Sequence, residues 1–572
     1  EISLGLVGSE MCIRDRGNEV SEDVRSVHSP SLNEDDAALM HRMGHRSEFA
    51  REFKSFSTIS YAFAIMGLVS SIATTFNSPL TLGGPASAVW AWFMGGCFNM
   101  TIGLAIAELV SAYPSCGGLY SASGLVVPRR YRAFVAWCTG WLNLTGQIAG
   151  IAGTEYGLSQ MIFAWVYVIT DKRYTANYNV ITAVYIGLLL IHGLINSFGS
   201  KTLARMTSGY VVVNLGTTFV IIIVLLATTP LHEMQGGQAF SKLNDSEQAT
   251  GYTGMGGTAL SFFLGLLSVQ FVMSDYDATA HISEEVHRAA IAAPVAIMIA
   301  VAGTGLIGWL LNIVLVICSG DVASRNFDTF PGGLAMAEIM YMRFGKVGFL
   351  VVWPFVCLTA FFVVTTATQA NARTLYAFSR DHGLPDRGFF AKVNKRMGTT
   401  INAVWLVVFF CILLGCLGFA SYYAVSAIFA LAALGMNISY LIPIVLRQIF
   451  QDHPDVKYVP GPFTLGRGWL GRIINSLAIF WILFECTILS IPAKKDYNAK
   501  EFNYSWVIMF GVLFIAIVWF IVYAHRHYHG PRSSMSPDQL KKLGIVTKEE
   551  EDEVFNDEKG QADDEGMEKV YI

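Results

Sequence analysis

Long apolar runs separated by short polar loops recur along the chain from about residue 56 to residue 526. A hydrocarbon core of about 30 Å takes about 20 apolar residues per helix. On that template the pattern predicts twelve spans, over 56–80, 86–112, 132–165, 177–197, 205–229, 257–284, 291–318, 343–377, 401–420, 422–447, 470–492 and 504–526. Two are unlike the rest. Span 1, in "AFAIMGLVSSIATTF", carries Gly67, Ser70 and Ser71 at mid-membrane depth, and span 6, in "SVQFVMSDYDATA", carries Ser274, Asp275 and Asp277 at a comparable depth. A charged group there costs at least ~2.5 kcal/mol, so it normally faces a protein interior or a water-filled cavity.

Each interruption has a plainer alternative. Glycine and serine also let neighbouring membrane helices pack closely, and span 6 would still be long enough to cross if it ended at Ser274 and left both acids in the inner water layer. Taken together, the interruptions fall five spans apart, where two five-span halves in inverted orientation would place them. Unwound backbone at that depth is tolerable only where it lines a cavity. The N–H groups of a following half-helix can then hold a carboxylate, and the freed C=O groups can hold an ammonium.

Composition narrows the class. Of 572 residues, 53% are hydrophobic and 14% charged, against about 25% charged in a soluble domain; the fold class is an all-α polytopic membrane protein. The net charge of -4 gives no sign of a nucleic-acid partner. Nine cysteines stand singly, with no spacing that suggests a disulfide framework, a metal site or a bound cofactor. Basic residues orient the spans, because Lys and Arg are retained on the cytoplasmic side. With the N-terminus inside, sixteen fall in inner loops and nine in outer ones, so both termini are expected in the cytosol. The glycosylation-type tripeptides at Asn244 and Asn503 fall in predicted outer loops. "MCIRDR", Met11 to Arg16, resembles a translated sequencing adaptor, so residues 1–16 are read as non-native. Residues 17–54 are expected to be a disordered cytosolic tail, 55–526 the twelve-helix domain, and 527–572 an acidic cytosolic tail.

Four motifs, in order, carry a family resemblance: "AELVSAYPSCGGLYSAS" (Ala107 to Ser123), "TGWLNLTGQIAG" in span 3, "DATAHISEEVHRAAIAAPVAI" after the span 6 break, and "AFSRDHGLPDRGFFAKVNK" between spans 8 and 9. From about residue 55 to 525 the chain resembles the amino acid-polyamine-organocation (APC) permease superfamily. Within it, the similarity is to the amino acid/choline branch of fungal 4-aminobutyrate and choline permeases and plant bidirectional amino-acid transporters. The resemblance implies a LeuT-like five-plus-five inverted repeat with broken helices 1 and 6, alternating access, and a central site between the breaks. Carried over by position, Met66, Gly67, Leu68, Val69, Ser70 and Ser71 would present backbone to the substrate. Phe271 would close over it, and Ser274, Asp275, Tyr276 and Asp277 would follow on the span 6 break. Glu284 and Glu285 match the inner half-helix and are read as inner-gate or packing residues rather than ligands. Asn214 stands where many relatives place a span 5 lysine, and an amide cannot take up and release a proton near neutral pH.

Glu155 in span 3 occupies a place where related transporters also show an acid; it either binds a substrate amine, carries a proton, or lies at the outer water interface. His281, His192, Glu108, Glu338 and Glu485 are read as satisfied structural groups, with Gln147 and the Thr365–Thr366 pair as supplementary polar contacts. The resulting expectation is a secondary active transporter, not an enzyme, that moves an amino acid or 4-aminobutyrate, with a proton as a candidate co-transported ion and the lipid bilayer as its surroundings. The alternatives are a choline or polyamine permease of the same fold and a nutrient receptor that signals through its tails without transporting. Plasma membrane is the expected location, a vacuolar or other internal membrane the alternative. No HExxH, GxSxG or metal-ligand cluster supports an enzyme.

Overall fold

The computed structural model describes residue 49 and residues 51–320, 330–394, 396–419, 422–456, 458–498 and 502–531. The segment read as non-native (1–16), most of the expected N-terminal tail, and the acidic tail from 532 onward lie outside the described residues. Helices make the architecture. Span 1 is α1 (Ser55–Met66), α2 (Leu68–Thr75) and α3 (Asn77–Leu82), and span 2 is α4 (Pro85–Ala112). A short α5 (Gly118–Leu125) leads into α6 (Arg129–Ile169), α7 (Tyr178–Asn196) and α8 (Ser200–Thr228), which are spans 3 to 5. Span 6 is α9 (Gly254–Leu264), α10 (Leu266–Val272) and α11 (Ala278–His281). Spans 7 to 12 are α12 (Ala289–Cys318), α13 (Ala335–Arg380), α14 (Ile401–Gly415), α15 (Tyr422–Ile449), α16 (Trp469–Ser490) and α17 (Ser505–Val522). Among the described residues, extended pairing is limited to two isolated bridges, Phe53 with Val286 and Asn394 with Thr399.

Eleven helices among the described residues are long and apolar enough to cross a membrane. They account for all the expected spans but the third. That one, α6, has 41 residues and reaches about 60 Å at 1.5 Å per residue, yet it is too polar to be counted with the rest. The reason is its surroundings: α6 packs against α5, α7, α13, α14, α15 and α17, so Asn143, Gln147, Glu155 and Gln160 are buried by protein. The first span is likewise interior, with 89% of its most apolar window buried, against 17% for α17 at the rim. Span 8 starts earlier than its apolar run suggests, because Gly345 at φ 69° turns the chain and lets helix continue on both sides.

The two ends of the bundle differ. At the Arg380 end, the segment before α1 straps onto the segment after α11: Phe53 N–H donates to Glu285 O at 3.0 Å, His287 N–H donates to Phe53 O at 2.9 Å, and the Arg51 guanidinium donates to the Val286 carbonyl. At the Lys494 end a cavity of about 350 Å³ opens, lined by Thr74, Asn77, Gln160, Gly332, Phe429 and Lys494 among others. Both tripeptide asparagines lie at this end with their amides engaged. Asn244 donates to Leu80 O and Thr81 O, each at 2.9 Å, and Asn503 donates to Leu489 O at 2.7 Å.

Candidate transport site

The first break follows from Gly67. At φ 54° it ends α1 in the left-handed conformation, and a Cβ there would lie 2.2 Å from Val363 Cγ2, so both the turn and the approach of α13 require glycine. The first internal bond of α2 runs from Ser71 N–H to Gly67 O at 2.8 Å, which leaves the N–H groups of Leu68, Val69 and Ser70 without a helical acceptor. Ser70 and Ser71 turn their hydroxyls back onto the break, donating to Gly67 O at 3.1 Å and Met66 O at 3.3 Å. They brace the turn, and backbone is what the break presents.

The second break spans residues 273–277, with Asp275 at φ 60°. Its two acids have separate fates. Asp277 is fully buried: it accepts from Tyr440 Oη at 2.6 Å and from Asn143 Nδ2 at 3.3 Å, and lies 3.3 Å from His281 Nε2. Asp275 is half-buried. Its N–H donates to the same Tyr440 hydroxyl at 3.1 Å, while its Oδ1 has no hydrogen-bond partner. The Gln147 amide faces that carboxylate without completing a hydrogen bond. Of the two acids, Asp275 is the one with capacity left for a ligand. Residues 276–286 are almost all buried, so the acids sit within protein and not at a helix end in water.

Phe271, one turn before the break, meets Phe429 edge to face at 4.8 Å between centroids. A Cβ on Gly153 would touch both rings at 3.4 Å; the absent side chain makes room for the pair. Phe429 also lines the 350 Å³ cavity, so the ring pair joins a wall of that cavity to the turn before the second break. Ser274 donates to Phe271 O at 2.8 Å, holding the ring-bearing turn to the break.

Residues 56–515 match the family model described as amino acid permease. The chain belongs to that family. It is 39% identical over 87% of its length, and 90% of the relative's, to an uncharacterized amino-acid permease of Schizosaccharomyces pombe. It is 33% identical to amino-acid permease BAT1 of Arabidopsis thaliana, over 86% of this chain and 95% of that one. To the GABA-specific permease of Saccharomyces cerevisiae it is 28% identical over 88% of this chain and 87% of that one. The protein is therefore a multi-pass membrane transporter and not an enzyme.

The permease's "YPSCGGLY" stretch acquires a physical role. Cys116 N–H donates to Glu284 Oε1 at 3.1 Å, and Cys116 O lies 3.1 Å from His281 Nδ1. Gly118, at φ 51°, leaves the space that the His281 ring occupies, 2.5 Å from where its Cβ would be. The motif is a receptor for the end of span 6. Glu285 is bonded to the fully buried Arg373 at 2.5 Å, and Glu284 lies 3.4 Å from Arg380. Arg373 also donates to Thr400 Oγ1 at 2.7 Å and to Ser200 Oγ at 3.2 Å. These two acids tie the end of span 6 to α13.

Two further expectations separate here. Asn214 on α8 reaches Phe63 O at 3.5 Å, beside the first break. Glu155 is fully buried and 3.3 Å from His192 Nε2, so it does not lie at a water interface; its helix turns it toward α7, away from the Gly153 face that meets Phe271. Sequence reading missed Tyr440, Asn143 and Phe429. The signal available was polarity inside apolar runs, as in "MNISY" of span 10, but nothing local says which break such residues serve.

Proposed function

We propose that this permease carries an amino acid or 4-aminobutyrate by alternating access, as a secondary active transporter with a proton as co-transported ion. The observation that supports it is the pairing of the breaks. Unpaired N–H groups at Leu68, Val69 and Ser70 suit a carboxylate, and across α2 and α10, which pack together, the unpartnered oxygen of Asp275 suits an ammonium. A zwitterion presents both groups. The Phe271–Phe429 pair acts as the gate toward the cavity, and Glu284, Glu285, Arg373 and Arg380 act as the opposite gate. With both tails cytosolic, the Arg380 end faces the cytosol and the cavity faces outward, in the plasma membrane, around a five-plus-five inverted repeat.

Choline or a polyamine is a second reading, favoured by the aromatic setting of Asp275: the rings of Tyr276 and Tyr440 lie 5.2 Å apart, tilted by 36°, next to it, and aromatic faces suit a cation. Uptake of labelled 4-aminobutyrate into proteoliposomes, competed by amino acids, choline and polyamines, separates the two. Asp275→Asn and Phe271→Ala should each sharply weaken uptake with the protein still inserted; full activity in both would sink the site. Absence of any flux, with solute binding intact, would favour the receptor instead.

A further inference from the structure

His281 and Asp277 form a fully buried pair whose hydrogen positions are constrained by what surrounds them. Nδ1 of His281 lies 3.1 Å from Cys116 O, and a carbonyl only accepts, so Nδ1 carries hydrogen. The other ring nitrogen, Nε2, lies 3.3 Å from Asp277 Oδ2. A neutral imidazole with its hydrogen on Nδ1 offers a lone pair at Nε2, and a carboxylate offers another. Two acceptors would face each other in a site without water access. One more proton resolves the contact, either on Nε2 or on Oδ2; both placements leave the pair with zero net charge.

Neighbouring charges do not supply an alternative. On the same segment lie Asp275, Glu284 and Glu285; from α13 come Arg373, Arg380 and Asp381; Cys116 comes from the turn before α5, Tyr440 from α15, and Glu485 of α16 faces Tyr276. Asn143 is the α6 contact and does not titrate. Arg373 is committed to Glu285 at 2.5 Å, and Arg380 lies between Glu284 at 3.4 Å and Asp381 at 3.8 Å. Among the described residues no lysine or arginine pairs with Asp277. His281 is the basic side chain in contact with this carboxylate.

We infer that the Asp277–His281 pair is the proton-binding site of this transporter, loading and releasing one proton per cycle. The inference rests on the permease reading above and adds to it the groups that hold the ion. Its link to substrate is short: Asp277 Oδ1 accepts from Tyr440, whose hydroxyl accepts from the Asp275 N–H. Loss of the proton turns Nε2 and Oδ2 into facing acceptors and leaves one uncompensated buried negative charge. That drives His281 off Asp277, and His281 is seated three residues before the Glu284–Glu285 gate. Release of the proton and opening of that gate are then one event.

The test uses the full chain in proteoliposomes with labelled 4-aminobutyrate and competing amino acids outside and a pH-sensitive dye inside. Wild type should acidify the lumen as solute enters, and driven uptake should rise toward lower external pH by up to about tenfold per unit, the limit for one linked proton. His281→Gln and Asp277→Asn should lose the dye response and the pH dependence, with exchange of internal for external solute still measurable. Because either variant could misfold, proton uptake on solute binding is also read in weakly buffered detergent-purified wild type with an indicator dye. Proton influx that persists in both variants overturns the inference, as does wild-type uptake with no proton movement, and either result leaves the transporter reading standing. A wild type that neither takes up nor exchanges any offered solute sinks both.

Discussion

Two buried carboxylate–histidine pairs lie in this bundle. In Asp277–His281 the ring hydrogen is fixed by Cys116 O. In Glu155–His192, Nδ1 lies 3.1 Å from Thr365 Oγ1, whose own hydrogen goes to Phe361 O at 2.8 Å, so that ring also donates from Nδ1. Both second nitrogens lie 3.3 Å from a carboxylate oxygen. The difference is the backbone under them. Glu155, His192 and Thr365 lie on regular helical stretches of α6, α7 and, beyond its Gly345 kink, α13, and the contact between Glu155 and His192 does not complete hydrogen-bond geometry. Asp277 belongs to an unwound segment with two further donors on its carboxylate. The same chemistry is a brace where the backbone is continuous and a moving part where it is broken.

The comparison can be broken most forcefully by removing one partner from each pair. His192→Ala leaves Glu155 buried alone and should cost roughly 3–5 kcal/mol, read as a lower melting temperature in detergent. The double variant E155M/H192L, which replaces both polar partners by apolar ones of similar size, should recover most of that stability and transport with its pH response intact. The corresponding D277L/H281L double should recover folding at best and show no driven uptake. Equal behaviour of the two doubles would erase the distinction.

A smaller effect is expected at the first break. Gly67→Ala must hold a left-handed residue, at roughly 1–2 kcal/mol, and displace Val363; uptake should fall with little change in melting of the α6–α7 brace. Phe271→Ala should raise the KM for solute at least about tenfold, equivalent to about 1.4 kcal/mol, in initial-rate measurements. The slightest effect lies far from either pair. Arg343 donates a hydrogen bond that holds the exposed Glu233 carboxyl below its usual range. A depressed carboxyl stabilises above its unfolded value and loses that contribution as pH falls through the folded one, so Glu233→Gln should flatten the acid limb of a melting curve slightly and leave transport unaltered.

The breaks were legible because two interruptions, each ambiguous by itself, fall five spans apart, where an inverted repeat would place them. The division of labour between Asp275 and Asp277 was not legible: the partners that occupy Asp277 come from 134 and 163 residues away, and no local pattern records them. Glu155 left its alternatives open for a related reason. Span 3 is polar along much of its length because protein surrounds it, so its sequence does not show where water begins. His281 looked like a satisfied structural group, and both its ring nitrogens do have partners, Cys116 O and Asp277 Oδ2; the identity of those two partners, one of them 165 residues away, is what its sequence context does not record.

The strap at the Arg380 end has a consequence for biosynthesis. Arg51 and Val286 are 235 residues apart, so at 5–20 residues per second the first segment leaves the ribosome on the order of tens of seconds before its partner exists. During that interval the nascent chain holds its first five spans without the strap. The strap can form only after residues 285–287 have been made, so its closure requires that the first six spans already be present.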